Sequence, residues 1–234
     1  MPALSIHFRH EHLLLDSSGA VFWSARRILI VADLHFEKST AAAMQGSLLP
    51  PYDTRATLEK LQRVVRRYHP AVLVFLGDSF HDATGSSRLS PEDREMLMSM
   101  ALEVRFIWIA GNHDPALPGL PGDVVAQWQE GIFQFRHQAE YQAEGVEISG
   151  HFHPKASILT QVKRVSRPCF VTDENRLILP AFGTYTGGLD VRAPAIARLF
   201  PRGLRVVLLG GERLFSFFLP PLAENSTRTD LAET

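Results

Sequence analysis

Residues 28–35 read ILIVADLH, and this stretch decides the fold. An apolar run rich in β-branched side chains stops abruptly at Asp33-Leu34-His35. A run that short, bounded by polar residues, suits a strand buried on both faces. The same signature recurs at 71–78, AVLVFLGD, and at 104–114, VRFIWIAGNHD. Helical patterns separate the three runs. Across 52–68, Leu58, Leu61, Val64 and Val65 fall on one face, Asp53 is placed to cap the start, and Pro70 follows. Ser90-Pro91-Glu92-Asp93 opens a second helix carrying Met96, Leu97, Met100 and Ala101. Strand–helix–strand units predict a largely parallel sheet. Ligands bind such sheets at the carboxyl ends of the strands, so the three polar clusters share one rim.

Outward from this nucleus, residues 4–23 alternate apolar and polar positions around a Ser17-Ser18-Gly19 turn, which predicts short antiparallel strands. Beyond the third run, 132–136, 146–149, 157–165, 169–172 and 176–179 read as strands, followed by 195–200, 204–209 and 214–218. Helix signals are scarce there. The order predicts an α/β fold, two sheets packed as a sandwich with helices outside. The same reading predicts one domain over 1–220 and a polar, flexible tail over 221–234.

The chain has 234 residues, of which 45% are hydrophobic and 21% charged, enough to bury a core. Its net charge of -1 does not favour sequence-independent binding along a phosphate backbone, so any attraction to nucleic acid must be local. Cys169 is the single cysteine, which rules out an internal disulfide and a Cys-rich zinc site. The N-terminus lacks a signal-peptide core, and no apolar run approaches the roughly 20 residues that span a bilayer. The expectation is a cytoplasmic protein without a membrane partner.

Five pieces carry the chemistry: Asp33-x-His35, Gly77-Asp78, Gly111-Asn112-His113-Asp114, His137, and Gly150-His151-x-His153. Each follows an apolar run. Singly they are ambiguous, since Asp-x-His and Gly-Asp also serve as caps or turns and paired histidines also decorate surfaces. Together they supply carboxylates, imidazoles and one amide oxygen, a set that suits Mn²⁺, Fe or Zn²⁺. Asp78, central in the order, is the natural bridge between two ions. Two ions roughly 4 Å apart lower the pKa of a bound water and offset charge on a phosphoryl group. His113 is then the general acid for the leaving oxygen, with Asp114 placed to orient its ring.

In this order the five pieces resemble the calcineurin-like metallophosphoesterases. The segments ADLHFEK, LLPPYDTRATL, FLGDSFHD, IWIAGNHDP, ISGHFHP and LPAFGTYTGGL are further similar to the ligase-associated DNA-damage-response endonucleases of bacteria, across about 30–189. The resemblance implies a four-layer α/β/β/α sandwich and a manganese-dependent phosphodiesterase acting on single-stranded DNA, in functional association with a DNA ligase, an exonuclease and a helicase. It assigns Asp33, His35, Asp78 and His153 to one metal, and Asp78, Asn112, His137 and His151 to the other. His137 departs from the pattern, being followed by Gln138 where relatives often have Gly. It is still the only histidine between His113 and His151.

Around this set, His81 and Asp82 could touch substrate or brace the site, and Lys38 and Arg55 could position phosphate. Tyr185, within 181–189 (AFGTYTGGL), could stack on a base. Lys163, Arg164 and Arg167 form a modest basic cluster. His7, His10 and His12 precede the motif region and read as surface histidines. Two other functions remain open. One is the same chemistry on a small nucleotide or other phosphoester, and the other is a non-catalytic scaffold on the same fold.

Overall fold

A computed structural model describes residues 3–114, 117, 119–142, 145–159, 164–211 and 213–221. The chain begins with an antiparallel meander, β1 (Ala3–Phe8), β2 (Glu11–Asp16) and β3 (Val21–Trp23), as the alternation predicted. It continues through β4 (Ile28–Val31), α1 (Lys38–Met44), α2 (Asp53–Tyr68), β5 (Val72–Phe75), α3 (Gly85–Arg88), α4 (Pro91–Ala101), β6 (Arg105–Ile109) and β7 (Asp123–Val125). These seven strands form the first sheet in sequence order, with β4 to β7 parallel. The second sheet contains β8 (Gln127–Glu130), β9 (Phe133–Arg136), β10 (Val146–Ser149), β11 (Lys155–Leu159), β12 (Arg164–Thr172) and β13 (Arg176–Ile178). After α5 (Pro194–Ala197), β14 (Leu204–Leu209) and β15 (Leu214–Leu219) complete it. Its order is β15-β14-β12-β13-β10-β9-β8, with β11 paired to β12.

The pleat explains why the strands of the nucleus read as unbroken apolar runs. Ile28, Ile30 and Ala32 point into the space between the sheets, where they meet Phe133, Phe135 and Ile148. Leu29 and Val31 point the other way, onto Leu58, Leu61, Val64 and Val65 of α2. Each strand is thus buried on both faces, which demands apolar residues at consecutive positions. Trp23 meets Phe133 edge to face, with ring centroids 4.8 Å apart, an arrangement that adds roughly 0.5–1.5 kcal/mol to simple burial. The outer face of the second sheet packs Val171, Ile178 and Val206 beneath Ile196, Leu199 and Phe200. Among the described residues this fourth layer is thin, with a single short helix.

Several expectations change. Residues 195–200 do not form a strand. Pro194, lacking an N–H, starts α5, and Ile196, Leu199 and Phe200 recur at helical spacing. Asp53 does not cap its own helix. Its carboxylate accepts from the Lys38 and Ser39 amides, at 2.9 and 3.1 Å, and so caps α1. The expected strand 157–165 is divided between β11 and β12, and residues 160–163 lie outside the described ones. So do 222–234, which make up nearly all of the expected tail. The sequence also left α1, α3, β7 and β8 unread. No described helix is long and apolar enough to cross a membrane.

Candidate metal centre

Every piece of the predicted set sits at the carboxyl end of its strand. Asp33 and His35 follow β4, Asp78 follows β5, and Asn112 to Asp114 follow β6, all on the first sheet. His137 follows β9, and His151 and His153 follow β10, on the second. Backbone bonds lace these loops together. The His35 amide donates to the Asp78 carbonyl at 3.0 Å, and the Gly150 amide to the His137 carbonyl at 2.9 Å. Between the sheets, the His151 amide donates to the buried Asp33 carboxylate at 2.9 Å.

Two triads result, one of Asp33, His35 and His153 and one of Asp78, His137 and His151. In the first, His35 Nε2 lies 3.2 Å from His153 Nε2, which lies 3.4 Å from Asp33 Oδ1. In the second, His137 Nε2 lies 3.1 Å from His151 Nδ1 and 3.4 Å from Asp78 Oδ2. Ligand atoms held at 2.0–2.2 Å around one ion stand roughly 3–3.5 Å apart, so the spacing fits a cation in each triad. Tautomers strengthen the fit. The His137 Nδ1–H donates to the Leu76 carbonyl at 2.8 Å, so its Nε2 is the atom that faces His151 and the Asp78 carboxylate. Only a cation or a proton between such atoms reconciles them.

The electrostatics agree. Burial, with His153, His113 and His81 nearby, pushes His35 down to about 3, so its imidazole is neutral and its lone pair available. Burial opposes the charged form of Asp78, but His137 and the His113 amide outweigh it and hold the carboxyl well below its usual range. The Asp78 charge also reaches His35 in the other triad. Asn112 Nδ2 stands 3.4 Å from His151 Nδ1, beside the second triad.

His113 lies at the edge of this set, its Nε2 3.9 Å from Asp78 Oδ2. Its ring is oriented differently from the expectation. Nδ1 bonds the His81 carbonyl at 2.9 Å. Asp114 instead accepts from the Ser79 and Phe80 amides at 2.7 and 3.0 Å. It braces the loop that carries Asp78, and burial raises its carboxyl to about 6.

The backbone at the centre is strained. Asp33, His35, Asp78, His151 and His153 all have positive φ, between 45° and 71°. Each such non-glycine residue costs on the order of 1–3 kcal/mol. Two glycines permit the crowding. A Cβ on Gly111 would meet the Asp78 amide nitrogen at 2.1 Å, and one on Gly77 (φ 79°) would meet the His137 ring at 2.4 Å. The sequence names these glycines, but only the packing shows why nothing larger fits.

The surrounding residues divide. The His81 ring stacks on His113, with centroids 5.6 Å apart. Asp82 is taken up by Arg88, which binds both its oxygens at 2.9 and 2.6 Å, so it stiffens the turn after His81. Arg55 pairs with Asp93 across α2 and α4, apart from the centre. Lys38 reaches the rim, its Nζ donating to the Tyr185 carbonyl at 3.0 Å. Tyr185 is exposed there. Arg164 and Arg167 are exposed on β12, and Lys163 lies outside the described residues. His7 and His12 face each other across the β1–β2 pair, and His10 lies in its turn. Sequence reasoning missed Arg88 and Lys155, since a lone cation gives no signal until its partner is seen. Arg88→Gln should cost about 1 kcal/mol of stability. Because the His81 carbonyl anchors His113, it should also lower kcat, by less than about tenfold. Metal content should stay at the wild-type value, and metal loss in that variant would place Arg88 in the centre itself.

Comparison with known proteins follows the same lines. The profile of the family described as calcineurin-like phosphoesterase matches residues 26–211. The structure is similar to the nuclease MPE of Pseudomonas putida, with 28% identity and a TM-score of 0.73, covering 92% of this chain and 100% of that one. It is more distantly similar to Yfce, a phosphoesterase from E. coli, with 13% identity and a TM-score of 0.41, covering 83% and 98%. A search of curated proteins found no match.

Proposed function

The chain belongs to the calcineurin-like phosphoesterase family and is a phosphoester hydrolase; from that premise we propose that it is a manganese-dependent phosphodiesterase, an endonuclease acting on single-stranded DNA in repair. The observation that carries the reading is the pair of adjoining triads. Asp33, His35, Asp78 and His153 would hold one ion, and Asp78, Asn112, His137 and His151 the other, with Asp78 shared. Two divalent ions there would supply an activated water at neutral pH and neutralise charge on the phosphoryl group. The chain supplies the rest. His35 is neutral and ready to ligate. His113, anchored through Nδ1, holds its Nε2 edge toward the centre and gives a proton to the leaving oxygen.

Similarity to a nuclease over nearly the whole chain supports nucleic acid over a small ester. Manganese is supported by the mixed oxygen and nitrogen donors, although iron and zinc accept the same set. The resembling segments between 30 and 189 support work alongside a DNA ligase, an exonuclease and a helicase.

The test is hydrolysis of circular single-stranded DNA, an aryl phosphodiester and an aryl phosphomonoester, with Mn²⁺ and with chelator. Metal-dependent linearisation of the circle is expected. Hydrolysis of the small esters with the circle intact would move the function to a small phosphoester. Failure on all three under Mn²⁺, with no metal retained, would return the chain to a scaffold.

A further inference from the structure

Two tyrosines, Tyr185 in a loop on the rim of the centre and Tyr52 at the start of α2, are both exposed and both strained. Tyr52 is 77% exposed and Tyr185 52% exposed. Both have a left-handed backbone, at φ 72° and 57°. A bulky residue in that region is an outlier that normally needs a reason. Burial does not provide one here, because both side chains face solvent.

Their neighbours are tied to each other and to the centre. Thr184 Oγ1 donates to the Asp53 carbonyl at 3.1 Å, so the residue beside Tyr185 is bonded to the residue beside Tyr52. Lys38 joins the same knot. Its amide donates to the Asp53 carboxylate at 2.9 Å and its Nζ to the Tyr185 carbonyl at 3.0 Å. Lys155 Nζ approaches the next carbonyl, Thr186, at 3.3 Å. The loop bearing Tyr185 rests on the ligand segments of both triads' strands. The Gly183 amide donates to the Asp33 carbonyl at 3.2 Å, and the Leu189 amide to the Phe152 carbonyl at 3.3 Å. Lys60 Nζ holds the same loop from α2 through the Phe182 carbonyl, at 2.9 Å.

Two exposed rings, on segments bonded to each other, to two lysines and to the ligand loops, have the chemistry of a single-strand track. Bases stack on aromatic faces without regard to sequence. Each ammonium keeps donors beyond the carbonyl it binds, free for a backbone phosphate. We propose that Tyr52 and Tyr185, with Lys38 and Lys155, form a platform that holds the bases flanking the scissile phosphate of a single-stranded nucleic acid. This rests on the phosphodiesterase reading above and adds the part of the chain that selects a polynucleotide over a small ester.

The experiment compares kcat/KM for a short oligothymidylate with kcat/KM for an aryl phosphodiester, in wild type and in Tyr52→Ala, Tyr185→Ala, Tyr52→Phe and Tyr185→Phe. Each alanine variant should lose about tenfold or more in the ratio of the two, mainly through KM for the oligonucleotide. The phenylalanine variants should keep the wild-type ratio, because stacking needs the ring and not the hydroxyl. An oligonucleotide with abasic sites beside the cleaved bond should remove the difference between wild type and alanine variants. A wild-type ratio in both alanine variants overturns the platform and leaves the two rings to a protein partner. A wild-type enzyme that hydrolyses the small diester but no oligonucleotide overturns the nuclease reading instead, so the two failures are distinct.

Discussion

Asp78→Ala lowers turnover on DNA by roughly 1,000-fold or more, beyond the 10–100-fold typical of losing a group that only supports a ligand. The expectation follows from its position. Its Oδ2 closes one triad with His137, its charge reaches His35 in the other, and its Oδ1 accepts the His113 amide at 3.0 Å. Removing the carboxylate therefore disturbs both triads and the backbone that holds His113 at once. Metal analysis of the purified variant should show fewer than the wild-type number of ions. Its far-UV circular dichroism should match wild type, since the strand before it is held by β4 and β6. The near-isosteric Asp78→Asn separates charge from packing and should be almost as inactive. Wild-type turnover in either variant would sink the two-metal reading.

His113→Ala is the second large effect, with kcat on DNA falling about 100- to 10,000-fold. The loss should depend on the leaving group. An alkoxide leaving from DNA needs a proton, whereas an aryl oxide leaves well without one. The variant should therefore hydrolyse an aryl phosphodiester far closer to the wild-type rate. Both metals should remain bound, because His113 lies outside the two triads. Equal losses on both substrates would mean that the imidazole stabilises charge rather than delivering a proton. Loss of metal would make it a ligand.

The sequence made the centre legible because its chemistry is written locally, as short polar clusters at the ends of apolar runs. Asp33, His35, Asp78, His137, His151 and His153 could be named before any contact was seen, and the structure brings them into two groups. Relations between distant residues were not legible. Asp114 was expected to orient His113 because the two adjoin in sequence, yet its carboxylate turns to Ser79 and Phe80. The ring is held instead by a carbonyl 32 positions away. Asp53 was misread for the same reason, since a residue at a helix start is expected to cap its own helix and this one caps another. In the fold, the long runs with period two or 3.6 were read well. Residues 195–200 were not, because a short helix against a sheet and a buried strand present the same few apolar residues.

The division of each triad between the two sheets has a consequence for the birth of the protein. Residues up to 114 carry three of the five motifs, but each triad takes its remaining nitrogens from 137, 151 and 153. At about 5–20 residues per second of synthesis, roughly 2–8 s pass between the emergence of Asp114 and that of His153. A nascent chain in that interval has neither ion site closed. Any activity that needs either triad is therefore withheld until His153 has been made. The enzyme is disarmed by its own topology until the second half of the polypeptide arrives.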